Sequence, residues 1–132
     1  MPDSEDDPRI PDSAELWRRI PPDWVTWDDE QQRLRPSSQA FKNHRESGAI
    51  SVFLANAISG PEYALQPPNE NFYLASITAG FARSVGLAVT ADPPVPDVIG
   101  HAWLKGLRSN KTSLKLARGA RWVVAPADPV YP

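Results

Sequence analysis

The chain has no cysteine. That excludes disulfides, thiolate nucleophiles and zinc–cysteine centres together, and it is the usage expected in a reducing compartment. Histidine is nearly absent too. His44 and His101 stand far apart, with no Asp or Glu at ligand spacing from either, so no metal and no cofactor are expected. No apolar run approaches the roughly 20 residues that span a bilayer, so no membrane partner is expected. The opening Met1-Pro2-Asp3-Ser4-Glu5-Asp6-Asp7 is the charge opposite of a secretory signal, and a cytoplasmic location follows as the expectation. The seven glycines compose neither a Gly-x-x-x-x-Gly-Lys loop nor a Gly-x-Gly-x-x-Gly turn.

What is present points to one small domain. A chain of 132 residues fits a single domain and can bury about two thirds of its unfolded surface. The 41% apolar content and five tryptophans supply the core. Proline, at 15 residues, is about twice its usual share of roughly 5%. Charge is split along the chain. Residues 1–30 hold ten acids against three arginines, a net of −7, and the remainder holds eleven bases against six acids, a net of +5.

Residues 1–13 are acidic and proline-rich with one large apolar residue, Ile10, and are expected to be a disordered leader. The globular domain is expected over 14–126, with a proline-rich tail at 127–132. Leu16 to Ile20 reads as a strand or one amphipathic turn, ended by Pro21-Pro22. Trp24 to Trp27 suits a short strand. Ser37 or Ser38 is placed to cap a single helical turn reaching Phe41. Ala49 to Ala55 is an almost continuous apolar run, the pattern of a strand covered on both faces. Leu74, Ile77, Phe81 and Val85 recur at steps of three and four, predicting a main helix over Phe72 to Val85, with Asn69 as its cap and Gly86 past its end. Strands are expected at Leu87–Thr90, Val98–Leu107 and Arg121–Ala125, and a short helix over Lys111–Arg118 behind Ser109 or Asn110. The fold class expected is α+β: a single mixed sheet of about five to six short strands, one main buried helix and one shorter C-terminal helix.

Four constellations carry chemistry. His101, with Asp97 four residues before it, is an acid/base candidate, and Ser37, Ser38 and Ser51 are nucleophile candidates, although no Gly-x-Ser-x-Gly elbow is present. Arg18 and Arg19 beside Trp17 offer planar forks for a phosphate or carboxylate, or ion pairs with Asp23, Asp28 and Asp29. On a strand the two arginines point to opposite faces, so one of them lines any given pocket. Six bases without an acid run from Lys105 to Arg121: Lys105, Arg108, Lys111, Lys115, Arg118 and Arg121. On a helix Lys111, Lys115 and Arg118 share one face, opposite an apolar side built from Leu114 and Ala117. With Trp103 and Trp122 nearby, that face suits a polyanion or an acidic protein, the chain's own leader or a second copy included. The sequence pI near 5.6 ranks nucleic acid below an acidic protein as partner.

An arginine-bearing strand followed by a serine-bearing strand (Ser51) is similar to the opening of ADP-ribosyltransferase-like domains. Those enzymes need a late glutamate, and here Glu70 is the last one. Leu16-Trp17-Arg18-Arg19-Ile20-Pro21-Pro22-x-Trp24, then Arg35-Pro36-Ser37-Ser38-x-Ala40-Phe41 and Ser51-Val52, resemble a family of small uncharacterised bacterial proteins, and that resemblance brings no activity with it. Two functions are therefore expected in order. The first is a non-catalytic interaction module engaging an acidic protein or polyanion through the basic C-terminal face. The second is a small enzyme acting on a nucleotide or phosphate-bearing substrate, with an arginine anion site and His101 as acid/base.

Overall fold

The computed structural model describes residues 6–42, 49–91, 100–106 and 109–126. Its centre is a six-stranded sheet made of β1 (Glu15–Ile20), β4 (Ala49–Leu54), β5 (Tyr73–Thr78), β6 (Ala88–Ala91), β7 (His101–Lys105) and β8 (Arg121–Val124), ordered β6-β7-β4-β1-β5-β8. A separate two-stranded hairpin joins β2 (Val25–Asp28) to β3 (Arg33–Pro36). Among the described residues three α-helices accompany the strands: α1 (Pro61–Ala64), α2 (Ala79–Ser84) and α3 (Asn110–Gly119). The α+β class is the one expected. Every strand pairing is antiparallel, so the sheet is not mixed, and the longest helix is the C-terminal one.

The two faces of the sheet differ in chemistry because side chains alternate along each strand. One face carries Leu16, Ile20, Ile50, Val52, Ala75, Ile77, Val89, Ala102 and Leu104, all buried in the main core. α3 covers this face with Leu116 and Ala117, and the 3-10 turn Ser38–Phe41 adds Ala40 and Phe41. Buried Ser113 donates from Oγ to the Phe41 carbonyl at 2.8 Å, pinning helix to turn. The buried side of α3 is thus Ser113, Leu116 and Ala117, while Leu114 is only half-buried. The opposite face carries Trp17, Arg19, Ser51, Phe53, Leu74, Ser76, His101 and Trp103, as the register pairs Trp17↔Phe53, Phe53↔His101 and Ser51↔Trp103 require. There Phe53, Leu74 and Ala64 of α1 form a smaller second cluster, with Tyr63 edge-on to Phe53.

The helix expected over Phe72 to Val85 is instead β5 followed by the short α2. Leu74, Ala75, Ser76 and Ile77 are all buried, because β5 is covered on both faces. A doubly covered strand has apolar residues in succession, and two of them fell on a helical spacing by coincidence. The true helix start is Thr78, whose Oγ1 accepts the Phe81 N–H at 3.1 Å. Ser109 caps α3 in the same way through Thr112 N–H, as expected.

Contacts begin before Ala14. Ile10 is 6% exposed and belongs to the main core. Asp7 N–H donates to the Val89 carbonyl, and Asp6 Oδ1 accepts the Val89 N–H, so this segment lies along the edge strand β6. Arg83 holds Asp6 at 3.0 Å, Asp12 at 2.7 Å and the Asp7 carbonyl at 2.9 Å. Residues 6–13 therefore pack on the domain, where composition predicted a disordered leader over 1–13. One apolar anchor and one basic partner outweigh the polar remainder.

Candidate functional site

Each sequence-picked residue has a definite place in this frame. The proposed basic surface does not assemble as one patch. Lys111 and Lys115 are exposed one helical turn apart. Arg118, the third member, is engaged by the chain's own acids: its Nε lies 3.2 Å from Asp28 Oδ2 and its Nη1 3.6 Å from Glu30 Oε2. Trp122 packs against the main core, edge-on to Tyr73 at 6.1 Å, with its Nε1 donating to the Leu34 carbonyl. Trp103 stands on the other face, and β7 and β8 are four strand steps apart, about 19 Å at the usual spacing. The two tryptophans cannot flank one helix face. Sequence proximity suggested the grouping, and the sheet order undoes it.

Asp28 is the hub of the internal pairing. It is 3% exposed, and Arg35 Nε donates to its Oδ2 at 2.6 Å while Gln31 N–H donates to Oδ1 at 2.9 Å. The Gln31 bond, the Arg35 bond and the Arg118 charge hold its carboxyl down at about 2. From the neighbouring β3, Arg33 donates to the Ala120 carbonyl at 2.7 Å, at the negative end of the α3 dipole. These bonds fasten the hairpin to α3 and leave little of its last turn for a partner.

The chemistry-bearing residues of the other face do converge. Ser51 Oγ lies 2.6 Å from His101 Nε2, a short hydrogen bond between adjacent strands β4 and β7. Trp103 is edge-on to the His101 ring at 4.6 Å and Phe53 at 6.3 Å, giving the imidazole aromatic walls. The Arg19 guanidinium stands 5.0 Å over the Phe53 ring. No carboxylate pairs with Arg19 among the described residues, and burial pushes its pKa down. A half-buried cation without a counter-ion is costly, and an incoming anion relieves that cost. Ser51, His101 and Trp103 therefore meet on strands β4 and β7, and Arg19 of β1 is joined to them through the Phe53 ring.

Arg18 points the other way, into the core side, as strand alternation requires. Its Nε donates to the Ala40 carbonyl at 2.9 Å and its Nη1 to the Ser51 carbonyl at 2.8 Å. Ser37 precedes the 3-10 turn without a side-chain cap bond, and Ser38 opens that turn. Asp97, set beside His101 by sequence spacing, lies outside the described residues, as do His44 and Arg108. The contribution that sequence reasoning missed is Phe53, which joins Arg19 to His101. Its signal was present, since Ser51 and Phe53 alternate onto one face of β4.

Among the described residues no helix is long and apolar enough to cross a membrane. A scan against protein-family models, a search of curated proteins and a search of solved structures each found no match.

Proposed function

We propose that this chain is a small enzyme acting on a phosphate-bearing substrate, with Ser51 as nucleophile, His101 as its general base and Arg19 as the anion site. The 2.6 Å contact between Ser51 Oγ and His101 Nε2 carries the reading. A serine hydroxyl is a weak nucleophile until a neighbouring base takes its proton in the transition state. With the imidazole protonated at Nδ1, Nε2 accepts that proton as Oγ attacks phosphorus. The Oγ–P bond forms, the bond from phosphorus to the leaving oxygen breaks, and His101 passes the proton to that oxygen. Water, deprotonated by the same Nε2, then attacks phosphorus; the P–Oγ bond breaks, His101 returns the proton to Oγ, and phosphate (a phosphate monoester from a diester) leaves. The Arg19 fork balances the charge on the phosphoryl oxygens.

The test is mass-spectrometric mapping of a fluorophosphonate adduct, together with hydrolysis of p-nitrophenyl phosphate mono- and diesters. Ser51 is expected to carry the label. Ser51→Ala and His101→Ala are expected to abolish labelling and turnover, and Arg19→Ala to raise KM. Absence of both label and turnover in the intact protein refutes the reading.

A second reading keeps the chain as a non-catalytic interaction module for an acidic protein or polyanion. It is supported by Lys111 and Lys115, exposed on one face of α3. Such binding is expected to weaken steeply between low and moderate salt and to vanish in the double alanine variant. Binding that persists in both conditions refutes it.

A further inference from the structure

Arg18 is an electrostatic anomaly. It lies between Leu16 and Ile20, both fully buried and apolar, on the core side of β1. No carboxylate pairs with it among the described residues. Desolvation first, and the charge of Arg19 second, push its pKa down to about 10. An apolar side chain would fill such a position without that penalty.

The hydrogen bonds explain why a guanidinium is there. β1 pairs with β5 along all six residues, but with β4 only at Leu16↔Leu54 and Trp17↔Phe53. Beyond that point the ladder between β1 and β4 stops. The Ser51 carbonyl, which a continued ladder would bond to a backbone amide, instead accepts Arg18 Nη1. Nε of the same fork reaches the Ala40 carbonyl in the 3-10 turn Ser38–Phe41. On its other edge Ser51 is held in register with Trp103 of β7. Only a planar multi-donor group bridges two carbonyls in this way.

We propose that Arg18 is a positioning residue: by tying the Ser51 carbonyl to the turn at Ala40, it holds Ser51 Oγ within hydrogen-bond reach of His101 Nε2. This rests on reading Ser51 and His101 as a working pair. Misplacement of a reacting group by about 1 Å costs on the order of 100-fold in rate, so the effect is large enough to measure.

The experiment compares the intact protein with Arg18→Gln, Arg18→Lys and Ser51→Ala. Three quantities are read: the urea midpoint, the rate of fluorophosphonate labelling across pH, and the His101 Nε2 resonance in histidine-labelled protein. Arg18→Gln is expected to label roughly 100-fold more slowly at every pH. Its Nε2 resonance is expected to move toward that of Ser51→Ala. Arg18→Lys, which keeps the charge but loses the fork, is expected to label about tenfold more slowly. It decides the matter if the glutamine variant does not fold. Labelling within twofold of wild type, with Nε2 unmoved, overturns the positioning role. Failure of the underlying pair looks different: wild-type Ser51 takes no label and Ser51→Ala leaves Nε2 where it was, and both proposals then fall.

Discussion

Ile10→Ala tests whether the acidic N-terminal segment belongs to the folded domain. Ile10 is 6% exposed and packed in the main core, on a segment tied down by bonds from Asp7 to Val89 and from Gly80 to Asp12. Truncating a buried isoleucine to alanine costs about 2–5 kcal/mol, depending on how far the site collapses. This segment is short and peripheral and has room to settle inward, so the low end, about 2 kcal/mol, is expected. For a domain of this size, with a urea m-value of about 2 kcal/mol/M, the midpoint falls by about 1 M. The same loss lowers Tm by about 8 °C. Tryptophan fluorescence in urea reads the transition directly, and Ile10→Val, losing one methylene, is expected to lie between variant and wild type. A tail without contacts gives no change from either substitution. A midpoint unmoved by Ile10→Ala refutes the docking of this segment and the role of Arg83 in holding it.

Two further outcomes follow from the α3 face and its hub. Asp28, held at about 2 against an ordinary 3.8, contributes stability that is complete above pH 3.8 and lost as pH falls through about 2. Asp28→Asn is expected to be less stable at neutral pH and to lose less between pH 4 and 2. Parallel acid-unfolding curves for variant and wild type refute this. Ser113→Ala leaves the buried Phe41 carbonyl without its 2.8 Å donor and is expected to cost about 1–3 kcal/mol. A urea midpoint equal to wild type refutes the pin between α3 and its turn.

The sequence made the fold class legible because its clearest signals were local. The apolar run over Ala49–Leu54, the Ser109 cap and the Pro21-Pro22 stop each act within a few residues, and each stands where expected. Phe72 to Val85 failed for a tertiary reason. Whether β5 is covered on one face or two is decided by α1 on one side and α3 with its turn on the other, and periodicity carries no trace of them. β3 was missed because Arg33-Leu34-Arg35-Pro36 has little strand character. Its arginines are there to bond Asp28 and the end of α3, not to pack.

The site divides along the same line. Alternation on β1 separated Arg18 from Arg19 correctly, and Ser51 and His101 were each visible as candidates. What no spacing contains is strand order. Placing β4 between β1 and β7 is what brings Ser51 within 2.6 Å of His101 and Arg19 over Phe53. The same order sets Trp103 and Trp122 four strands apart, alternation puts them on opposite faces, and the pairing of Arg118 with Asp28 and Glu30 takes it out of the basic face of α3. The split of charge along the chain has a corresponding physical meaning. The early acids are matched within the domain: Asp6 and Asp12 by Arg83, Asp28 by Arg35 and Arg118, and Glu30 by Arg118. Arg118, which the sequence offered to a partner, is consumed in this way. Arg18 and Arg19 differ in being adjacent on one strand, both partly withdrawn from solvent and neither matched by a carboxylate among the described residues. Stability alone gives no reason to hold two adjacent cations in that condition. The Ser51 and Ala40 carbonyls account for Arg18, and the proposed function assigns Arg19, stacked over Phe53, to an anionic substrate.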